Sequence, residues 1–152
     1  MQLGNMTFAP GAVLAPMAGF TDAACRRLAA NHGALYTISE MVSAKALTFG
    51  DKKSAQLIYN ENNPAPYGVQ LFGAEPGSKL MLDPKNCGDI VAAVVKESQG
   101  KPVTVKMRAG WDADHITAVE VAKACEAAGA ALVAVHGRTR EQMYQPGTVD
   151  WK

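Results

Sequence analysis

Apolar residues in this chain come in short runs that alternate with longer amphipathic stretches. Each switch is marked by glycine, proline or a small polar residue. Residues 13–16 are apolar and run into "PMAG", which predicts a first strand ending in a tight turn. Thr21 and Asp22 then cap a helix that reaches about Asn31, with Gly33 just past its end. Residues 35–38 predict a second strand, and "EMVSAKALTFG" predicts a helix that stops at Gly50. "YNENNPAP" is a loop by its Asn and Pro content. Residues 67–72 predict a third strand, with Gly73 after it.

The plainest helix start is Asp83-Pro84. Aspartate is a good N-cap, and proline suits the first helical position because its missing N–H would go unused there. Cys87, Ile90, Val91, Val94 and Val95 recur at helical spacing and are expected to form the buried face. Gly100 ends the helix and Lys101-Pro102 forbids continuation. "VTVKM" predicts a fourth strand. Asp112 or Asp114 is expected to cap a further helix that buries Ile116, Val119, Ala122 and Cys125 and stops at Gly129. "ALVAVHG" predicts a fifth strand. Near-continuous apolar strands alternating with helices mean a parallel sheet covered by helices. A full (β/α)8 barrel takes about 250 residues, so five strands in 152 residues predict an α/β fold that is part of a TIM barrel. A small doubly wound sheet is the alternative. It requires a glycine-rich phosphate loop after the first strand, and "APMAGFTD" matches that pattern poorly.

Composition narrows the function classes. The chain is 48% hydrophobic and 19% charged, which suits an ordered domain rather than a disordered one. A net charge of +1, from 15 basic and 14 acidic residues, gives no strong field for a polyanion. Cys25, Cys87 and Cys125 have no C-x-x-C spacing, so no metal site is predicted. Their odd number, with no signal-like start, reads as a reduced, cytoplasmic protein, and no apolar run has the length of a membrane span.

In α/β architectures the working residues gather at the C-terminal ends of the strands. Here those ends read "PMAG", "SEM", "QLFG", "KMRAGW" and "HGRTR". Gln70, Lys106, His136 and Arg138 are expected to face one mouth. Lys106 is flanked by apolar residues, and a lysine buried among them is costly unless it meets an anion or polar ligand. His136 gains weight as a ligand contact from the Gly137-Arg138 that follows it. The small residues of "PMAG" let a flat ligand approach the backbone, although a simple tight turn explains them equally well. Glu40 reads as structural.

The motifs "LAPMAGFTD", "SEMVSA", "GVQLFG", "VTVKMRAGW" and "VHGRTREQMY" together resemble the tRNA-dihydrouridine synthases of bacterial type, in order and almost end to end. The resemblance implies an FMN-binding TIM barrel followed by a helical tRNA-binding domain. It implies reduction of a tRNA uridine at its C5=C6 bond by hydride from reduced FMN, with NADPH as the donor. Pro16, Met17 and Ala18 would line the flavin ring with backbone contacts, and Gln70 would hydrogen-bond its edge. Lys106 would stand near the N1/O2 side, where a cation favours the anionic reduced ring. His136 would reach the flavin or the uracil, and Arg138 is a weaker candidate for substrate contact.

The chain departs from that pattern at "QLFGAEPGSKLMLDP". The family carries an Asn-x-Gly-Cys-Pro motif whose cysteine is the general acid, and no such motif occurs here. About one barrel repeat, roughly 30 residues, is expected to be missing between Pro76 and Gly77. The last strands, with their phosphate site, and the helical domain are also expected to be absent. The three cysteines read as small core residues and not as substitutes for the acid. The expected product is one incomplete FMN-binding domain over residues 1–152, catalytically silent, with exposed apolar edges. Two other readings remain: another FMN- or phosphate-binding barrel oxidoreductase with a different acid, and a non-enzymatic tRNA-binding remnant.

Overall fold

The computed structural model describes residues 2–58, 62–73 and 77–149. These form two compact units, one running to residue 73 and one from residue 77 onward together with residues 2–6. Pro76, Trp151 and Lys152 lie outside the described residues, so one side of the expected junction does too. Two short strands, β1 (Gln2–Leu3) and β2 (Met6–Thr7), pair at the start of the chain, and neither is predicted from sequence.

The first unit contains β3 (Val13–Leu14), α1 (Ala23–Asn31), β4 (Tyr36–Ser43), α2 (Ala44–Thr48), α3 (Lys52–Leu57) and β5 (Tyr67–Phe72). Its sheet runs β3-β4-β5, every pair parallel. Asp22 caps α1 as expected, its carboxylate accepting from the Cys25 N–H at 2.8 Å. The helix expected from Glu40 begins four residues later. Residues 40–43 belong to β4 and pair with β5, Met41 opposite Gln70 and Ser43 opposite Phe72. Ladder bonds and burial outweigh the helical preference of "EMV". Ser43 then caps α2, and the positive φ of Gly50 lets the chain turn into α3, which has no counterpart in the sequence reading. Arg26 ties the unit together from a fully buried position. Its Nη1 donates to the carbonyls of Thr21 at 2.8 Å and Leu57 at 3.4 Å, and its guanidinium lies 5.7 Å from the Tyr67 ring centre.

The second unit opens with a 3-10 turn at Gly77–Leu82 and continues through α4 (Pro84–Glu97), β6 (Thr104–Gly110), α5 (Ala118–Ala127) and β7 (Leu132–Thr139). β6 and β7 pair in parallel, Lys106 opposite Ala134 and Arg108 opposite His136. The core is Met81, Val91, Met107, Val121 and Cys125, with Cys87, Val95, Val105, Ala122 and Val133 packed on it. The buried stripe of α4 is therefore Cys87, Val91 and Val95, while Ile90 and Val94 are exposed. On α5, Val121 and Cys125 are buried, Ala122 packs beside them, and Ile116 and Val119 face outward. Each expected face, drawn from helical spacing alone, was wider than the one the packing buries. Gly88 allows the close approach of α4 to α5, since a side chain there would press on the Ala124 carbonyl at 3.2 Å. Asp112 and Asp114 do not cap α5, whose N-cap is Thr117. Asp112 instead accepts from the N–H groups of Asp114 and His115, at 3.0 and 2.9 Å, and closes the turn that follows β6.

The five strands β3 to β7 alternate with helices and pair only in parallel, a partial TIM-barrel-like α/β fold. Val69, Leu71 and Phe72 of β5 and Leu132 and Val135 of β7 are exposed, the apolar edges an incomplete sheet should have.

The Asp83 carboxylate accepts from the Asn86 N–H at 3.0 Å at the start of α4. Asp83→Ala should lower stability by about 1 kcal/mol, read from urea unfolding with unchanged slope. Asp112→Ala should leave the helical signal of α5 intact.

Candidate functional site

In the first unit the parallel sheet brings the loop after β3 to the same end as the C-terminal ends of β4 and β5. Buried Thr21 grips Met17 from both sides: its Oγ1 accepts from the Met17 N–H at 2.9 Å and donates to the Met17 carbonyl at 3.1 Å. The Gly19 N–H donates to Glu40 Oε2 at 2.5 Å. Met17 and Ala18 are exposed between these two anchors, and Pro16 is half-buried. On β5 the Gln70 N–H donates to Ser39 Oγ at 3.1 Å. The Gln70 side-chain oxygen is buried and has no hydrogen-bond partner among the described residues. An unsatisfied buried acceptor costs about 1–3 kcal/mol, and a ligand N–H would remove that cost. That orphaned oxygen fits a flavin, whose ring edge carries such a donor.

In the second unit strand alternation puts Lys106 and Arg108 of β6 and His136 of β7 on one face, together with Thr104, Leu132 and Ala134, so that face carries no carboxylate of its own. The register shifts after Arg108 and His136, and Gly137 and Arg138 together lie opposite Ala109. Lys106 was expected among apolar neighbours. Val105 and Met107, adjacent in sequence, belong to the core on the opposite face, and Lys106 is exposed with its Nζ donating to the Met107 carbonyl at 3.2 Å. Its pKa is lowered by partial desolvation against the sheet, and further by Arg108. Arg108, overlooked in the sequence, donates to the carbonyls of Thr139 at 3.1 Å and Met143 at 3.4 Å and stacks 5.9 Å from the Tyr144 ring. Arg138 Nε donates to the Gln145 carbonyl at 3.0 Å and to Thr148 Oγ1 at 3.1 Å. Its Nη1 lies 3.4 Å from His136 Nε2, a contact that a neutral imidazole can accept. Burial lowers the His136 pKa, and Arg108, Lys106 and Arg138 lower it further, in that order. Four basic side chains with no acid between them suit an anionic ligand or an anionic ring.

The expected site residues thus fall into two sets. Pro16, Met17, Ala18 and Gln70 lie at one end of the first sheet, and Lys106 and His136 share one face of the second, with Arg138 reaching His136 through its Nη1. Ser39 and Glu40 belong with the first set. Ser39 was not singled out and Glu40 was read as structural; the Glu40 link to Gly19 spans 21 residues and leaves no local signal. Burial raises the pKa of Cys125 and of Cys87, whose Sγ donates to the Leu80 carbonyl at 3.1 Å, and Cys25 is half-buried on α1. Among the described residues there is no cluster of His, Cys, Asp or Glu able to hold a metal, and no helix long and apolar enough to cross a membrane.

The profile of the family described as Dihydrouridine synthase (Dus) matches residues 13–77 and, as a second segment, 75–152. The tRNA-dihydrouridine synthase B of Xanthomonas campestris pv. campestris is 35% identical over 185 residues, covering 99% of this chain and 55% of that protein. The probable tRNA-dihydrouridine synthase of Rhodobacter capsulatus is 36% identical over 187 residues, covering 100% of this chain and 57% of its own length. The tRNA-dihydrouridine synthase B of Shewanella oneidensis is 33% identical over 179 residues, covering 95% and 55%. This chain spans little more than half the length of these relatives. In the Xanthomonas pairing, 99% of 152 residues is about 150, so about 35 of the 185 aligned positions face no residue here.

The imidazole of His136 should titrate below the ordinary value of about 6.5 in an NMR pH series. Arg108→Gln should raise its midpoint more than Lys106→Met does. Because the folded pKa is depressed, the unfolded chain takes up this proton first as pH falls. The stability associated with neutral His136 is complete above about pH 6.5 and is lost as pH falls towards the folded midpoint.

Proposed function

The chain belongs to the dihydrouridine synthase family, and from that premise we propose that it is the flavin-facing part of a tRNA-dihydrouridine synthase barrel that lacks one internal repeat between Pro76 and Gly77. By type it is a cytoplasmic oxidoreductase of tRNA modification, with FMN as cofactor and NADPH as hydride donor. The observation that carries this reading is where the match breaks. The family profile fits in two segments that meet at residues 75–77, next to β5, the edge strand of its sheet. The surplus of about 35 aligned positions is close to the roughly 30 residues of one barrel repeat.

Bound FMN, reduced by NADPH, would supply the hydride for the uracil C5=C6 bond. The residues of the first unit would hold its ring. The backbone of Pro16, Met17 and Ala18 would lie along the ring, and the orphaned Gln70 oxygen would accept from a ring N–H. In the family reading Lys106 would place a cation by the ring oxygen that gains charge on reduction. Neutral His136 would donate to the ring or to the uracil, and Arg138 would hold His136 and meet a substrate oxygen. The remaining requirement is an acid to protonate uracil C5 after hydride reaches C6. In the family a loop cysteine does this, and that loop belongs to the segment without a counterpart here. Cys87 and Cys125 sit in the core with raised pKa values and cannot take the role.

With FMN, NADPH and tRNA lacking modifications, the purified chain should form no dihydrouridine above background by nucleoside mass spectrometry. Inserting the corresponding segment of the Xanthomonas relative at the Pro76–Gly77 junction should raise the yield. Dihydrouridine made by the unaltered chain contradicts the reading.

A further inference from the structure

We propose that Ser39 and Glu40 form a bulge that positions the flavin-binding elements of the first unit, Glu40 fixing the loop after β3 and Ser39 fixing Gln70. This rests on the flavin reading above and assigns work to two residues outside the expected contact set. The β4–β5 ladder is regular through Ile38 opposite Gly68 and resumes at Met41 opposite Gln70. Ser39 and Glu40 together therefore face the single residue Val69, a β-bulge on β4. Its effect shows in the burial phase. Thr37 and Ser39 are fully buried, and simple alternation would bury Met41 next. Instead Val42 is buried and Met41 is 51% exposed.

The bulge supplies three polar links. Ser39 Oγ accepts the Gln70 N–H at 3.1 Å, taking the place a backbone carbonyl holds in a regular ladder. The same hydroxyl donates to the Glu40 carbonyl at 2.8 Å, which uses its proton and fixes its orientation as an acceptor. The Glu40 carboxylate accepts from the Gly19 N–H at 2.5 Å, 21 residues away in sequence. Gly19 has φ +79°, a conformation that favours glycine. Thr21 holds Met17, and the Phe20 and Thr21 N–H groups close the turn onto the Met17 carbonyl, both at 3.0 Å, so Glu40 adds the link that ties this turn to β4. One carboxylate and one hydroxyl thus connect the loop proposed to lie along the ring with the strand carrying the orphaned amide. A charge-assisted bond to a backbone N–H is among the stronger links available for this. Sites on bulges next to strand ends are a recurrent way of aiming a side chain.

The test uses the whole chain and its Glu40→Ala and Glu40→Gln variants. Backbone NMR reads the Gly19 amide in the absence of flavin, and fluorescence titration reads FMN binding. Glu40→Ala should move the Gly19 signal, speed its hydrogen exchange at least tenfold, and weaken FMN at least tenfold while the thermal midpoint changes little. Glu40→Gln keeps an acceptor without the charge and should fall between that variant and the parent. A Gly19 amide indifferent to Glu40→Ala overturns the inference, as does FMN affinity equal to the parent's. Should Glu40→Ala not fold, Glu40→Gln decides in the same way: a Gly19 signal and affinity identical to the parent's overturn it. A parent chain that binds no FMN overturns the flavin reading itself and the inference with it, whereas binding that ignores Glu40 overturns the inference alone.

Discussion

A parallel strand depends on neighbours it cannot make for itself. Its N–H and C=O groups point alternately to either side, and each side needs another strand brought round by a crossover. In the first unit β4 is satisfied on both sides, by β3 and β5. β5 is satisfied on one side only. In a complete barrel the next repeat would close its outer side, and none of the described residues does so here. The uncharged sequence of β5 and the exposure of Val69, Leu71 and Phe72 follow from the same condition, because the strand has the composition of an interior one. The second unit bears the same mark. Ile90 and Val94 on α4, and Ile116 and Val119 beside and on α5, are apolar residues on flanks without a partner.

Parallel sheets of few strands can still gather residues at one end or on one face. Two paired strands suffice to align Lys106 and Arg108 with His136. Three suffice to bring the Met17–Gly19 turn, Glu40 and Gln70 to one end. On the proposed reading, a group carried by a single loop, as the family's general acid is, would be lost with its repeat, while residues spread over several strands would remain.

Much of this was legible in the chain. Asp22 and Asp83 cap the helices they were expected to cap, and β5 has the expected bounds. The misreadings share a cause. Residues 40–43 suit a helix locally, and only pairing with β5 makes them a strand. Asp112 has the composition of a cap, but its carboxylate closes a turn onto His115. That turn is tight because Gly110 lies against the His115 carbonyl, where a side chain would collide. Lys106 was expected to be buried because its sequence neighbours are apolar, yet in a strand those neighbours belong to the other face. Long-range pairing also hid the bulge at Ser39 and Glu40, since "SEM" reads locally as a strand end running into a helix. Periodicity recovers the elements. Register, and with it the working geometry, is set by partners elsewhere in the chain.

The central claim is that β5 is an interior strand with one side left open. Amide hydrogen exchange along β5 tests it most directly. The Gln70 N–H faces β4, so alternation turns the N–H groups of Val69 and Leu71 to the other side. Val69 and Leu71 should exchange at least tenfold faster than Gly68 and Gln70 in the dilute chain. Equal, strong protection of all four would show that the outer side of β5 is covered and would contradict the account.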